Sequence, residues 1–502
     1  MFKSVSELIY KRRISSTLII TLVLVASFLL RIYKLGSHDL WYDEVFSEFF
    51  SRAPLDNWNA PLYLSLLHFW VKVFGVSEFS LRFPSVLFSF STTMIVYLIG
   101  KELFNRKTAI LATLLISLSS FNLWYAQEAR DYSMVLFFGT LSSYFLILAN
   151  KKSSFKLWLL FTLISLCGIY TNYFYIFLIT SQFLYVLYIT RSVNNKVFLA
   201  FVFILGLSSF YAPRFISKFI EVSKGFWIFK PDLQSLSITF QNYMLGYSGT
   251  FFLYTLSSVL ILGFFIMLFM IMRKRKEVIR SVSFCVFLLF IPIGLAFLFS
   301  CLFFSVYLNR CLLLFSPYFY LLISCLVMEL PKKASVAMAS VLILIFSCGA
   351  ALYFHDYMYP PLEYHMGAYL KKPVKPVISF LRSNYIDRDD IIAFTNESVM
   401  PGINFYSNQG FCMYYLFSPQ VLVLDPSWHR PVKESVNSIP THKILSLKFK
   451  KIWVICSDWS RNGQLDENST AVKQWLDSNL KLISSRELDG LWIYCYKRRS
   501  TY

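Results

Sequence analysis

The chain has 502 residues, 56% hydrophobic and only 15% charged, with a mean hydropathy of +0.55. Soluble domains carry about 25% charged residues, and a soluble fold of this length has no interior for 52 Phe and 32 Tyr, so a soluble class is excluded and the bilayer is the expected solvent. The net charge of +20 does not indicate nucleic acid, because the basic residues fall in short clusters between apolar runs and not along one face.

From the N-terminus, a basic start (Lys3, Lys11, Arg12, Arg13) precedes an apolar run over 14–30. No small-residue cleavage site follows, so the run is expected to be an uncleaved first span and not a signal peptide. About eleven stretches are long and apolar enough to cross a bilayer, at 15–34, 83–100, 108–125, 133–149, 157–173, 174–190, 197–213, 251–272, 281–304, 311–329 and 334–353. With the N-terminus in the cytoplasm, Lys101, Arg106, Lys107, Lys151, Lys152, Lys156, Arg191, Lys196, the run 273–276 and Lys332-Lys333 all lie inside. The short outside loops keep few cations, chiefly Arg52, Arg130 and Arg310, as the positive-inside rule requires.

Three outside segments are longer: 35–82, 214–250 and everything after about 354. Within the first, residues 61–74 place Leu62, Leu66, Phe69, Trp70 and Val73 near helical spacing beside His68 and Lys72, which predicts a helix lying at the interface. The last is richer in charge, with strand-like runs at 390–395, 421–424, 451–456 and 491–496 and helix-like runs at 377–385 and 471–480. The fold class expected is an all-α polytopic membrane domain over 1–353, with an interfacial loop at 35–82, followed by a small extracytoplasmic α/β domain over 354–502. Of the three cysteines in that domain, one bridge, Cys456–Cys495, is open, and no Cys or His cluster suggests a structural metal.

Three polar clusters sit at outer span ends. Asp43 and Glu44 follow the aromatic pair Trp41-Tyr42, where lost hydration favours a carboxylate as a base. Gln127, Glu128, Arg130 and Tyr132 follow the third span; Arg130 suits a phosphate, and Glu128 suits a sugar hydroxyl or that same Arg. Arg310, at the mouth of the tenth span, suits a carrier phosphate. Each cluster has a plainer alternative as a solvated loop, a charged hairpin cap or an interfacial anchor. His38, His68 and His355 are expected to be interfacial hydrogen-bonders.

The ordered series Leu40-Trp41-Tyr42-Asp43-Glu44, Asn59-Ala60-Pro61-Leu62-Tyr63, 75–84 with Arg82 and Pro84, and 125–132, continuing weakly at Arg310 and Pro317, resembles the C-type glycosyltransferase superfamily. The nearest branch is the bacterial one grouped with protein O-mannosyltransferases and aminoarabinose transferases. The resemblance implies a membrane enzyme that moves a sugar from a polyprenyl-phosphate donor to a lipid, glycan or protein hydroxyl on the non-cytoplasmic face, commonly with inversion. It implies Asp43 as base with Glu44 beside it, and Glu128 and Arg130 near the donor head group, with Gln127 and Tyr132 joining them as substrate-binding residues. A bacterial plasma (inner) membrane is the expected location. Many relatives carry His where Asn59 and Asn172 stand, so no cofactor is expected and a divalent metal is not supported. Protein O-mannosylation is the runner-up activity. A lipid or sugar flippase would need polar groups near the bilayer midplane, and a non-catalytic receptor would work through the C-terminal domain alone.

Overall fold

The computed structural model describes residues 2–54, 60–190, 195–223, 228–274, 276–365, 367–368, 371, 373–384, 389–396, 399–407, 413–418, 437–457, 465–488 and 490–499. Among these, seven helices are long and apolar enough to cross a membrane: Glu78–Leu103, Tyr132–Lys152, Asn195–Ser223, Phe251–Arg273, Val278–Leu302, Asn309–Met328 and Lys332–Phe354. An eighth span is the pair Arg106–Leu118 and Ser120–Ala126, bent by 60°. Shorter apolar helices, Thr17–Ile32, Phe155–Ile169 and Tyr175–Thr190, take the places of the other three expected spans. The chain is an integral membrane protein, and its lipid-facing side is marked by exposed Leu22, Val25, Leu29, Val259, Leu262 and Ile266.

The bend arises at Ser119, whose backbone is extended (ψ 114°) and whose hydroxyl accepts from the backbone N of Asn122. Helix 106–118 ends there and a new, capped helix begins. Tyr320 ties the corner down through Ser119 and Asn122, at 2.8 and 2.9 Å. The second arm carries residues 127–131 into the interior. The interfacial helix expected at 61–74 forms as Pro61–Phe74. Its inner side buries Tyr63, Leu64 and Leu67, while Phe69 and Val73 are exposed. The span expected at 197–213 runs on to Ser223, so the outside segment after it begins helical.

The C-terminal part holds one six-stranded sheet: β1 (Ile391–Phe394), β2 (Met413–Phe417), β3 (Asn437–Pro440), β4 (Ile452–Ser457), β5 (Leu480–Leu488) and β6 (Leu491–Arg498), in the order β3-β2-β1-β4-β6-β5. The first four are parallel, and β6 runs antiparallel to both β4 and β5. Strands β1, β4 and β6 fall where the sequence predicts them; β2, β3 and β5 were not expected, and 421–424 lies outside the described residues. The predicted helices form as Lys375–Ser383 and Glu467–Asn479.

Period-two alternation splits the sheet into two cores. Ile392, Phe394, Trp453 and Cys495 face helix 375–383, while Ile391, Ala393, Val454 and Cys456 face helix 467–479. Cys456 and Cys495 therefore point to opposite faces and are free thiols, which corrects the bridge left open above.

The sheet is docked to the membrane part by Asp39. Its Oδ2 accepts from the backbone N of Val374 and Lys375, at 2.7 and 2.8 Å, at the start of helix 375–383. Tyr406 reinforces the joint by donating to Glu78 and accepting from Leu40 N, each at 2.8 Å.

Candidate active site

The first outside loop turns into helix Tyr42–Ser51, with Asp43 and Glu44 in its first turn, where carboxylates complement the exposed N–H groups. Neighbouring helix residues diverge by about 100°, so the adjacent carboxylates have separate fates. Glu44 points inward and is fully buried. It accepts two 2.8 Å bonds from Arg82, one of 2.9 Å from Ala129 N, and lies 3.4 Å from Lys371 Nζ. Burial pushes this carboxyl up, but the charge of Arg82, then that of Lys371, and the bonds from Arg82 and Ala129 outweigh it and hold it at about 2. Arg82 also donates to the carbonyls of Leu35, His38 and Asp39, at 2.8–3.0 Å. The Glu44–Arg82 pair thus pins the loop that presents Asp43.

Asp43 points the other way. Its Oδ2 accepts from Arg310 Nη1 at 2.9 Å, and Arg130 Nε lies 3.9 Å from the same atom. Arg310 Nη1 also donates to Gly367 O at 2.7 Å. Both guanidinium carbons sit 5.7 Å from the Tyr132 ring centre, so one aromatic ring supports two cations. Around Arg130, burial favours the neutral form, but Asp43, Tyr132 and Asp131 reverse it and keep the guanidinium charged.

Arg130, Tyr132 and Arg310 line a cavity of about 670 Å³, with Asp43 behind the two arginines. Its polar end holds Ser47, Arg130, Asp131, Asn172 and Arg310; its walls are Phe50, Phe174, Phe177, Phe215, Phe219 and Phe299 with further apolar residues. Helix Ala212–Ser223 supplies Phe215, Lys218 and Phe219 to one wall. An anionic head with a long apolar tail matches this division of charge and hydrocarbon.

The remaining expected residues take different places. Glu128 is buried, and neither carboxylate oxygen has a hydrogen-bond partner among the described residues. Burial dominates and raises it to about 8, against the opposing charge of Lys371. Gln127 is committed to the scaffold: its amide N donates to the carbonyls of Arg31 and Tyr33, at 2.9 and 2.7 Å, and its Oε1 accepts from Tyr353. It caps the end of the first helix and joins it to the last span. His38 pairs with Asp356 and His68 with Ser51 O, at 2.8 and 2.7 Å.

Sequence reasoning assigned no role to Arg82, Asp131 or Lys371. Lys371 donates to Gln127 O at 2.7 Å; burial and then the Arg82 charge lower its ammonium to about 8, against the opposing charges of Glu44 and Glu128. Asn172 donates to Asp131 Oδ2 at 2.7 Å. The sequence places Arg82 in the outside loop one residue before the expected span, and only the helix Glu78–Leu103 brings it inside; nothing local marks Lys371. Among the described residues no three His, Cys, Asp or Glu side chains converge as metal ligands, and Asn59 lies outside them.

A family profile described as dolichyl-phosphate-mannose-protein mannosyltransferase matches residues 58–213. An uncharacterized protein of Aquifex aeolicus (strain VF5) is 31% identical over 157 residues, which span 28% of this chain and 31% of that relative. The crystal structure of ArnT from Cupriavidus metallidurans in the apo state superposes with a TM-score of 0.62 at 11% identity, covering 96% of this chain and 98% of that one. The chain has the C-type glycosyltransferase fold. The same ArnT bound to undecaprenyl phosphate gives a TM-score of 0.59 at 12% identity, covering 95% and 97% of the two chains. In this C-type fold the shared architecture extends through the C-terminal sheet, beyond the stretch that the family profile matches.

Proposed function

We propose that this protein is a membrane glycosyltransferase that moves a sugar from a polyprenyl-phosphate donor to a hydroxyl acceptor on the non-cytoplasmic face. One observation carries the reading: Arg130 and Arg310 line a cavity whose other walls are largely apolar, and both pair with the Asp43 carboxylate. The prenyl tail lies along those walls, and the donor phosphate meets the two guanidiniums. Asp43 takes the proton of the acceptor hydroxyl as its oxygen attacks the anomeric carbon. The bond from that carbon to the phosphate oxygen breaks, its electron pair leaves with the phosphate, and the configuration inverts. The leaving group is already a stable anion, so catalysis consists in neutralising its growing charge with Arg130 and Arg310. Basic clusters on the opposite side of the membrane support the orientation. A protein hydroxyl as acceptor is the second reading, favoured by the family profile over 58–213.

The test is to incubate the purified protein with a panel of polyprenyl-phosphate sugars and follow donor consumption. Asp43→Asn is expected to abolish transfer while the protein still inserts and folds. Arg130→Ala is expected to lose about 100-fold or more in rate, and Arg52→Ala, whose exposed guanidinium pairs with Glu48, far less. Full activity in Asp43→Asn, or equal losses in the two Arg variants, contradicts the mechanism.

A further inference from the structure

The Asp43 carboxylate already holds the guanidiniums assigned to the donor phosphate. Its Oδ2 accepts from Arg310 at 2.9 Å and is the anion nearest Arg130 Nε, a buried donor with no hydrogen-bond partner among the described residues. Both arginines line the cavity, and both rest on Tyr132. A phosphate seated on these two guanidiniums lies against the Asp43 carboxylate and competes with it for the same cations, because a guanidinium binds carboxylate and phosphate in the same way. The two anions cannot share Arg310 Nη1, which also donates to the Gly367 carbonyl.

We infer that Asp43 is an internal competitor for the donor phosphate: the incoming lipid phosphate takes Arg310 and Arg130 from it, and Asp43 reclaims them to expel the spent carrier. The inference rests on the function proposed above and deepens it. While Oδ2 accepts from Arg310, that oxygen is engaged; once the phosphate has displaced it, the carboxylate is free to receive an acceptor hydroxyl. Donor must therefore bind before acceptor. After transfer the carrier leaves as a phosphate monoester, more highly charged than the diester donor, and would be held more tightly by two guanidiniums. A carboxylate returning to the same cations counters that product trap.

The experiment measures binding of undecaprenyl phosphate to the full-length protein in nanodiscs, for wild type, Asp43→Asn, Asp43→Glu and Glu48→Gln. Glu48 lies on the same helix and pairs with Arg52, so it controls for the loss of one negative charge. Asp43→Asn is expected to bind the lipid phosphate about tenfold more tightly and to release it more slowly, whereas Asp43→Glu and Glu48→Gln stay within about twofold of wild type. Thermal unfolding of each variant shows that it is folded, and Asp43→Ala, with the same tighter binding expected, retests the loss of charge if the Asn variant is not. Equal or weaker binding by Asp43→Asn, with wild type binding and transferring normally, overturns the inference alone. No saturable binding by wild type, together with no consumption of any polyprenyl-phosphate sugar, overturns the functional reading as well.

Discussion

Two neighbouring carboxylates show how one helical step separates scaffold from chemistry. Glu44 is neutralised by Arg82 in a fully buried pair, and removing one partner leaves the other charge buried alone. Arg82→Met or Glu44→Gln is therefore expected to destabilise the protein by about 3–5 kcal/mol, read as a lower unfolding temperature in detergent. Glu128 works in the opposite direction. Its ordinary value of 4.5 is raised to about 8, so the folded chain keeps a proton that the unfolded chain loses. Stability falls as pH rises from the ordinary value through the raised one. Glu128→Gln removes that penalty: it is expected to be more stable than wild type at about pH 9, on the order of 1 kcal/mol or more, and indistinguishable at about pH 4. A thermal unfolding series over pH checks this. The residue types at 43, 44, 128, 130 and 310 were visible in the sequence. Which carboxylate turned inward was not, since that depends on Arg82 and Lys371, 38 and 327 positions from Glu44.

At the scale of elements, the membrane helices were legible because an apolar run of sufficient length has one physical solution in lipid. The bend at Ser119 was not: a serine inside an apolar run reads as a span until its hydroxyl is seen to cap a new helix and its backbone to leave the helical region. In the sheet, β1, β4 and β6 were legible from continuous buried apolar runs, whereas β5, with mostly exposed residues over 481–487, carries a polar pattern that does not announce a strand. Close helix approach is another property that no local pattern reveals. A Cβ on Gly100 would sit 2.8 Å from Ala109 Cα and 3.0 Å from its Cβ, so helices 78–103 and 106–118 touch through backbone. Gly100→Val is expected to push them apart at a cost of about 1–3 kcal/mol, measured as a lower unfolding temperature with the far-UV helix signal unchanged.

For the whole molecule, the apolar wall of the cavity predicts that the tail of the donor matters and not only its head. Each buried methylene contributes about 0.8 kcal/mol. A donor carrying two isoprene units is therefore expected to raise KM at least about tenfold over a full-length polyprenyl donor while kcat changes little. Steady-state kinetics with a chain-length series checks it, and equal KM values would place the tail outside the cavity.

The site also draws on parts of the chain that are far apart in sequence. Asp43 meets Arg310 across 267 positions, and the end of the first helix is stitched to the last span through Lys34 and the Phe354 carbonyl, 320 positions on. A polypeptide threaded into the bilayer from its N-terminus presents the carboxylate early and acquires the matching cation only after most of the bundle has been laid down. A product stalled before residue 310 thus holds the carboxylate without its guanidinium partner.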